Sequence, residues 1–554
     1  MAGRDAHGSY SPTSEVSDKS KDVSESWRGS WDDTEDEGEV PVVVAGGIGL
    51  LPNEVYDRQL HPLVAGIRKR ILRNLSRESE VLAAMQRKVR TPFLDAYFVN
   101  TSSLGTHTFF MTLLPAFCFF GHPEIGRGLM FVLSLGVYTA SVIKDMFCLP
   151  RPFAPPVTRL TIGSHHLEYG FPSTHSTNSV SIALFFFTII HRLSKTPAAY
   201  TASPLSFAQN TTQIIEDVVP EMVVSSTMYW ISAAVLLFYV FSIVYGRLYT
   251  AMHSFTDCTV GVLLGTAIWT VFVLYGDLVD RWLKTGGWIV PAVVIPFCLL
   301  CVHKHPEPVD DCPCFEDAIA FMSVVMGEFL TRWYMHQHGF DDGFFVRRMP
   351  GRPSGSLAEM CSWWTIAAAK LVVGVMAIFA WRILAKSLLH RVLPPAYRVL
   401  GQCMTLPHRR FYTPATDYTN VPFSPDLSSL RAIPSVLDLP GMVELEVDDV
   451  SVSTARRGRS KGVGREGDVK LRHAHGAQSH THGMERDTKG KAVGFQVVHQ
   501  DEGGIEERGG KEARVVKHYD ADVVTKILVY SGIGALASGG MPIFFELIGW
   551  GIRS

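Results

Sequence analysis

Charge is scarce in this chain: Asp, Glu, Lys and Arg make up 19% of its 554 residues, whereas 47% are hydrophobic. With the apolar residues gathered in long blocks, that balance excludes an ordinary water-soluble domain and indicates a polytopic membrane protein. Cysteine is sparse as well, nine residues without a regular framework, which argues against a fold stapled by disulfides. The opening residues lack the n-region, short apolar core and small-residue cleavage site of a secretory leader. The first true span is therefore expected to act as its own signal.

What the chain does have is a series of apolar runs: 104–120, 128–143, 178–190, 227–245, 258–275, 287–302 and 365–384. A helix rises about 1.5 Å per residue, so the longer runs cross a hydrocarbon core of about 30 Å and the shortest need flanking residues. Two weaker runs, 318–334 and 523–550, carry Glu328 and the pair Lys526 and Glu546, for a total of seven to nine spans. The expected organisation has a polar region over 1–92 whose first part is disordered, a transmembrane core over 93–302 and further helices over 303–400. A polar, largely disordered insertion over 401–520 and an apolar transmembrane segment over 521–554 complete it.

Chemistry-bearing residues fall in three clusters: Lys144 with Arg151 and Pro152, then Pro172-Ser173-Thr174-His175, then Arg247 with His253 and Asp257. Lys144 ends the second run, and the proline-rich Leu149-Pro150-Arg151-Pro152 cannot easily continue a helix. His175 sits just before the third run. That run departs and the fourth returns to deliver Arg247, so all three clusters meet on one face of the membrane.

His253 and Asp257, four apart, share a helical face, where the carboxylate can hold one ring nitrogen and leave the other free to attack phosphorus. Pro172 before Ser173, at a helix start near His175, aims backbone N–H groups and a hydroxyl at an anion. His175 is placed to protonate a leaving oxygen. Lys144, Arg151 and Arg247 supply charge for nonbridging phosphate oxygens, a role that suits the arginine fork.

With that order and spacing the chain resembles the type 2 phosphatidic acid phosphatase superfamily. The stretch from Phe93 to Asp257, including Cys148-Leu149-Pro150-Arg151-Pro152 and Glu168-Tyr169-Gly170-Phe171-Pro172-Ser173-Thr174-His175, is similar to the sphingoid base 1-phosphate phosphatases of the endoplasmic reticulum, in their fungal form. The resemblance implies an all-α bundle with a haloperoxidase-like core. It implies a metal-independent reaction through a phosphohistidine, with His253 as nucleophile, Asp257 as its orienting partner and His175 as general acid. Lys144, Arg151, Ser173, Thr174 and Arg247 take phosphate-binding roles, and neither metal nor cofactor is called for. Thr174 replaces the glycine usual in the superfamily and fits the sphingoid branch; Gly246 replaces a usual serine and is left out of the site.

The expected partners are a phosphorylated sphingoid base and the bilayer, with no nucleic acid. The enzymatic alternative is a broader lipid phosphatase acting on phosphatidic acid or an isoprenoid diphosphate. A non-catalytic phospholipid transporter would need the cations but neither histidine. Cys298, Cys301, His303, His305, Cys312 and Cys314 match no standard zinc spacing. His473, His475, His480 and His482 form a tract without a dedicated site. Lys370, costly in a membrane core, receives no role.

Orientation divides two expectations. The arginine-rich segment from Arg68 to Arg90 is cytosolic by the positive-inside rule, which would carry the clusters to the cytosol, whereas the resemblance implies a lumenal site. Two sequons, at Asn74 and Asn210, lie on opposite faces, so a glycan on Asn210 would contradict a lumenal site.

Overall fold

The computed structural model describes residues 47–102, 107–160, 168–196, 224–340, 343–415 and 519–553. All its regular elements in that set are helical: α1 (Asn53–Gln59), α2 (Pro62–Val89), α3 (Pro92–Ser102), α4 (His107–Phe119), α5 (Pro123–Phe147), α6 (Thr174–Ser194), α7 (Ser226–Tyr249), α8 (Phe255–Thr285), α9 (Ile289–His303), α10 (Cys314–Gln337), α11 (Leu357–Cys403), α12 (Asp520–Ala535) and α13 (Met541–Leu547), the last two joined by a π-helical turn. The first part of the 1–92 region, which was expected to be disordered, Asn210, most of the 401–520 insertion and its histidine tract lie outside the described residues.

Among the described residues five stretches are long and apolar enough to cross a membrane: α5, α7, α8, α11 and the α12–α13 run. The other expected runs fall in α4, α6, α9 and α10, which are shorter or more polar. In α6 the polarity has a structural reason. Ser176, Thr177, Asn178, Ser179 and Ser181 are buried inside the protein, and Thr177, Ser179 and Ser181 bond back to main-chain carbonyls of their own turn. They lower hydropathy without meeting lipid.

Sequence chemistry sets the helix ends that matter here. Pro123 opens α5 at its first turn, and the helix stops at Cys148 in the left-handed conformation, just before Leu149-Pro150. Ser173 caps α6 by accepting from Ser176 N at 3.3 Å, so Thr174 and His175 stand inside its first turn rather than ahead of it. Ser254 and Asp257 form a reciprocal capping box at the start of α8. Helices α6 and α8 approach closely at Gly265, where an added Cβ would lie 2.3 Å from the Thr177 carbonyl oxygen.

The apolar core lies where α4, α5, α10, α12 and α13 meet, with Phe119, Leu133, Ala320, Ile533 and Phe545 buried together. Helix α2 is amphipathic: Arg68, Leu72, Leu75, Ser79, Leu82 and Gln86 recur at helical spacing and are buried. The arginine-rich segment read from the sequence as a topological signal is therefore also a structural clamp. Its inner face grips the loops after α5 and α7. Ser79 Oγ accepts from Phe153 N at 3.1 Å, and Gln86 Nε2 donates to Thr158 O at 2.8 Å and Tyr249 O at 2.9 Å.

The polar stretch expected to begin at 401 starts as ordered structure. Helix α11 runs on to Cys403, and Arg409 Nη2 donates to the carbonyls of His305 at 3.1 Å and Pro306 at 2.9 Å. Lys370 has a packing explanation: wholly buried, it donates to Gly551 O at 2.7 Å and ties α11 to the C-terminal turn.

Candidate active site

All three clusters converge at one end of the bundle. Lys144 comes from the last turn of α5, and Arg151 from the loop after it. Ser173, Thr174 and His175 come from the start of α6, Arg247 from the last turn of α7, His253 from the turn between α7 and α8, and Asp257 from the first turn of α8. Lys144, Arg151, Ser173, Arg247, His253 and Asp257 are buried, whereas Thr174 and His175 are half-buried. The α6 and α8 starts are joined by Ser173 N, which donates to Asp257 O at 3.1 Å.

His253 is held on both ring nitrogens. Its Nδ1 lies 2.8 Å from the carbonyl oxygen of Gly170, which can only accept, so Nδ1 carries the proton. Nε2 then presents its lone pair and accepts from Arg151 Nη1 at 3.3 Å. Burial, opposed by the neighbouring Asp257 carboxylate and aided by the Arg151 cation, pushes the imidazole down to about 4, against 6.5 for an ordinary histidine, and keeps the ring neutral at neutral pH.

Asp257 is placed differently from the sequence expectation. Its Oδ2 is 3.8 Å from His253 Nδ1, beyond hydrogen-bond reach, and accepts instead from Ser254 N at 2.7 Å. The group that holds the ring is the Gly170 carbonyl, and Asp257 supplies a negative charge nearby while capping its own helix. Gly170 is required by close approach: a Cβ there would stand 2.6 Å from Pro150 O and 3.0 Å from Arg151 Cα.

Arg151 is the hub of the site. Besides His253, it donates through Nη1 to Met252 O at 2.9 Å and through Nε to Glu168 O at 3.1 Å. Burial lowers the affinity of its guanidinium for the proton, and Glu168 opposes that effect. Glu168, to which sequence reasoning assigned no role, places Oε2 at 2.8 Å from Lys144 Nζ and 3.6 Å from Arg151 Nη2. Its signal lay in position alone, a single acid just ahead of Tyr169-Gly170 in a segment otherwise read for its cations.

A second knot supports this loop from outside. Asp310 Oδ2 accepts from the hydroxyls of Tyr56 and Tyr169, each at 2.8 Å, and from Gly49 N at 3.1 Å. Arg68 stacks over the Tyr56 ring at 3.6 Å. In the neighbouring segment Cys312 and Cys314 are joined in a disulfide, and their sulfurs lie close to the buried Asp145. His305 also approaches Asp145, at 3.5 Å. Cys298, by contrast, is buried within α9, so the cysteines and histidines of 298–314 do not form one ligand set.

A buried, neutral, oriented imidazole among three cations at the end of a membrane helix bundle is an arrangement suited to phosphoryl transfer in an integral membrane protein. The PAP2 superfamily model matches residues 126–279, a range that contains all three clusters. A dihydrosphingosine 1-phosphate phosphatase of Schizosaccharomyces pombe is 31% identical over 60% of this chain and 72% of its own length. A second dihydrosphingosine 1-phosphate phosphatase, from Saccharomyces cerevisiae, is 29% identical over 65% of this chain and 81% of its own. Human sphingosine-1-phosphate phosphatase 2 is 26% identical over 56% and 69%, respectively. No solved structure matches the chain. The chain belongs to the PAP2 superfamily, which is the type 2 phosphatidic acid phosphatase superfamily that its motifs resemble, and it is a multi-pass membrane phosphoric monoester hydrolase.

Proposed function

We propose that the protein hydrolyses long-chain sphingoid base 1-phosphates, with dihydrosphingosine, sphingosine or phytosphingosine as the base, to the free base and phosphate through a phosphohistidine on His253, without a metal. The observation that carries this reading is the 3.3 Å contact between His253 Nε2 and Arg151 Nη1: the unprotonated nitrogen accepts from a cation suited to move onto the phosphate that the nitrogen would attack. The sphingoid preference is supported by the names of the fungal relatives, both dihydrosphingosine 1-phosphate phosphatases.

In this mechanism Nε2 attacks phosphorus as the bond from phosphorus to the ester oxygen breaks, and His175 gives that oxygen a proton. Water, deprotonated by His175, then attacks the phosphohistidine. The phosphorus–nitrogen bond breaks, phosphate leaves and both histidines return to their starting states. Lys144, Arg151 and Arg247 neutralise the nonbridging oxygens, Ser173 and Thr174 line the α6 N-terminus beside them, and Asp257 stabilises the positive charge that the imidazole gains. The lipid tail stays in the bilayer while the headgroup enters from the membrane plane. The setting proposed is the endoplasmic reticulum membrane, within sphingolipid metabolism, with the site facing the lumen.

The test is phosphate release by purified protein in EDTA from dihydrosphingosine 1-phosphate and from phosphatidic acid, with His253→Ala as control. Selective release from the sphingoid ester, lost in the variant, together with an acid-labile phosphoenzyme, supports the reading. Activity on phosphatidic acid alone moves the substrate. Absence of His253-dependent release from either lipid, in folded protein, overturns the reading.

A further inference from the structure

We propose that Glu168 selects the substrate by pairing with an ammonium group on the carbon next to the phosphate-bearing one. This inference rests on the sphingoid reading above and adds a specificity-determining residue to it.

Glu168 is anchored through its main chain and reaches across the cradle with its side chain. Its main-chain oxygen accepts from Arg151 Nε at 3.1 Å, which fixes the backbone against the phosphate cradle. Its carboxylate lies across the cradle, 2.8 Å from Lys144 Nζ and 3.6 Å from Arg151 Nη2, with the side chain 12% exposed. These are two of the three cations that the reaction needs on phosphate. A phosphate ester arriving there meets a carboxylate already holding those charges, and two anions are then pressed together in a buried site where screening is weak.

An ester with no positive charge leaves that repulsion uncompensated. Phosphatidic acid is such an ester, since it carries an acyl-ester oxygen at the neighbouring carbon. A sphingoid base 1-phosphate carries an ammonium at that carbon and brings its own counter-ion. As the phosphate takes Lys144 and Arg151, the Glu168 carboxylate swings from them to the ammonium. The ammonium replaces the cations that the phosphate takes from Glu168, whereas a lipid without it leaves the half-buried carboxylate facing the phosphate. Glu168 thus acts on choice among lipids, not on the bonds being broken.

The experiment compares kcat/KM of the purified full-length protein for dihydrosphingosine 1-phosphate and its 2-hydroxy analogue, in which a neutral hydroxyl replaces the ammonium. Wild type is expected to prefer the free amine by roughly 10- to 100-fold, the range of a hydrogen bond to a charged group. Glu168→Gln is expected to bring the ratio to within about threefold of unity and to bind inorganic phosphate more tightly, because the competing carboxylate is gone. Glu168→Asp, which keeps the charge, is expected to retain a preference for the amine and serves as the readout should Glu168→Gln not fold. An unchanged ratio in Glu168→Gln, or equal losses on both esters, overturns the role of Glu168. A wild type active on both esters without preference overturns it too and leaves the phosphatase reading standing. Absence of His253-dependent hydrolysis of either ester overturns both.

Discussion

The carbonyl oxygen of Gly170 lies 2.8 Å from Nδ1 of His253, closer than the Asp257 carboxylate at 3.8 Å. A main-chain acceptor fixes the tautomer regardless of what happens to Asp257. In triads where the carboxylate alone performs that task, converting it to the amide costs about 10⁴ in kcat because the imidazole adopts the wrong tautomer. Asp257→Asn is therefore expected to cost much less, on the order of 10- to 100-fold, from lost charge stabilisation alone. The amide oxygen can still cap α8 through Ser254 N. His253→Ala is expected to lose on the order of a thousandfold or more. Steady-state kinetics on the two variants side by side decides the matter, and equal losses would show that Asp257, not Gly170, holds the ring.

The same relationship makes Gly170 vulnerable. A Cβ at that position meets Pro150 O at 2.6 Å and Arg151 Cα at 3.0 Å, both backbone atoms that cannot rotate away. Gly170→Ala must push the 168–171 segment off the Arg151 loop, which disturbs His253 Nδ1 and the Arg151 contacts together. The expected result is a loss of about 1–3 kcal/mol of stability from overpacking and a fall in kcat larger than the rise in KM. Thermal unfolding and kinetics on the purified variant measure the two effects.

Asp310 is expected to support the site from a distance. It receives two tyrosine hydroxyls and a main-chain N–H, and Tyr169 sits between Glu168 and Gly170. Asp310→Ala leaves those donors unpaired, at about 1–3 kcal/mol for each group left buried and unsatisfied. The expected outcome is a lower unfolding temperature and a reduced kcat, although Asp310 touches no reacting atom. Asp310→Asn, which keeps an acceptor, should recover most of both. Wild-type activity in Asp310→Ala would show that Tyr169 does not position the loop.

These three predictions mark where the sequence was legible. Lys144, Arg151, Arg247, His253 and Asp257 could be found because side-chain identity and spacing both carry their chemistry, and the alternation of helices brings them to one end. Gly170 could not be found in its role, because a carbonyl oxygen belongs to every residue and leaves no mark. Asp310 is 141 residues from Tyr169, too far for a local pattern to link them. Glu168 was masked by the expectation that a phosphate site is built from cations. The helical class followed from the long apolar runs. The polarity of α6 was harder to interpret, since buried Ser, Thr and Asn look the same in hydropathy as solvent-facing ones.

A last prediction concerns pH. His253 is held down to about 4 by burial, with Arg151 adding to the effect, so the folded protein refuses a proton that the unfolded chain accepts near 6.5. Its contribution to stability is fully present above 6.5 and is lost as pH falls from there toward about 4, because over that window the unfolded state binds more protons. The attacking nitrogen keeps its lone pair through the same window. The acid limb of kcat/KM assigned to the enzyme is therefore expected near 4. The substrate phosphate titrates separately, with a second pKa of about 6. Its ionisation, measured independently on the lipid in the same micelles, must be divided out of the profile. If a limb remains near 6.5 after that correction, the imidazole is not shielded as its surroundings require, and the neutral-nucleophile mechanism fails.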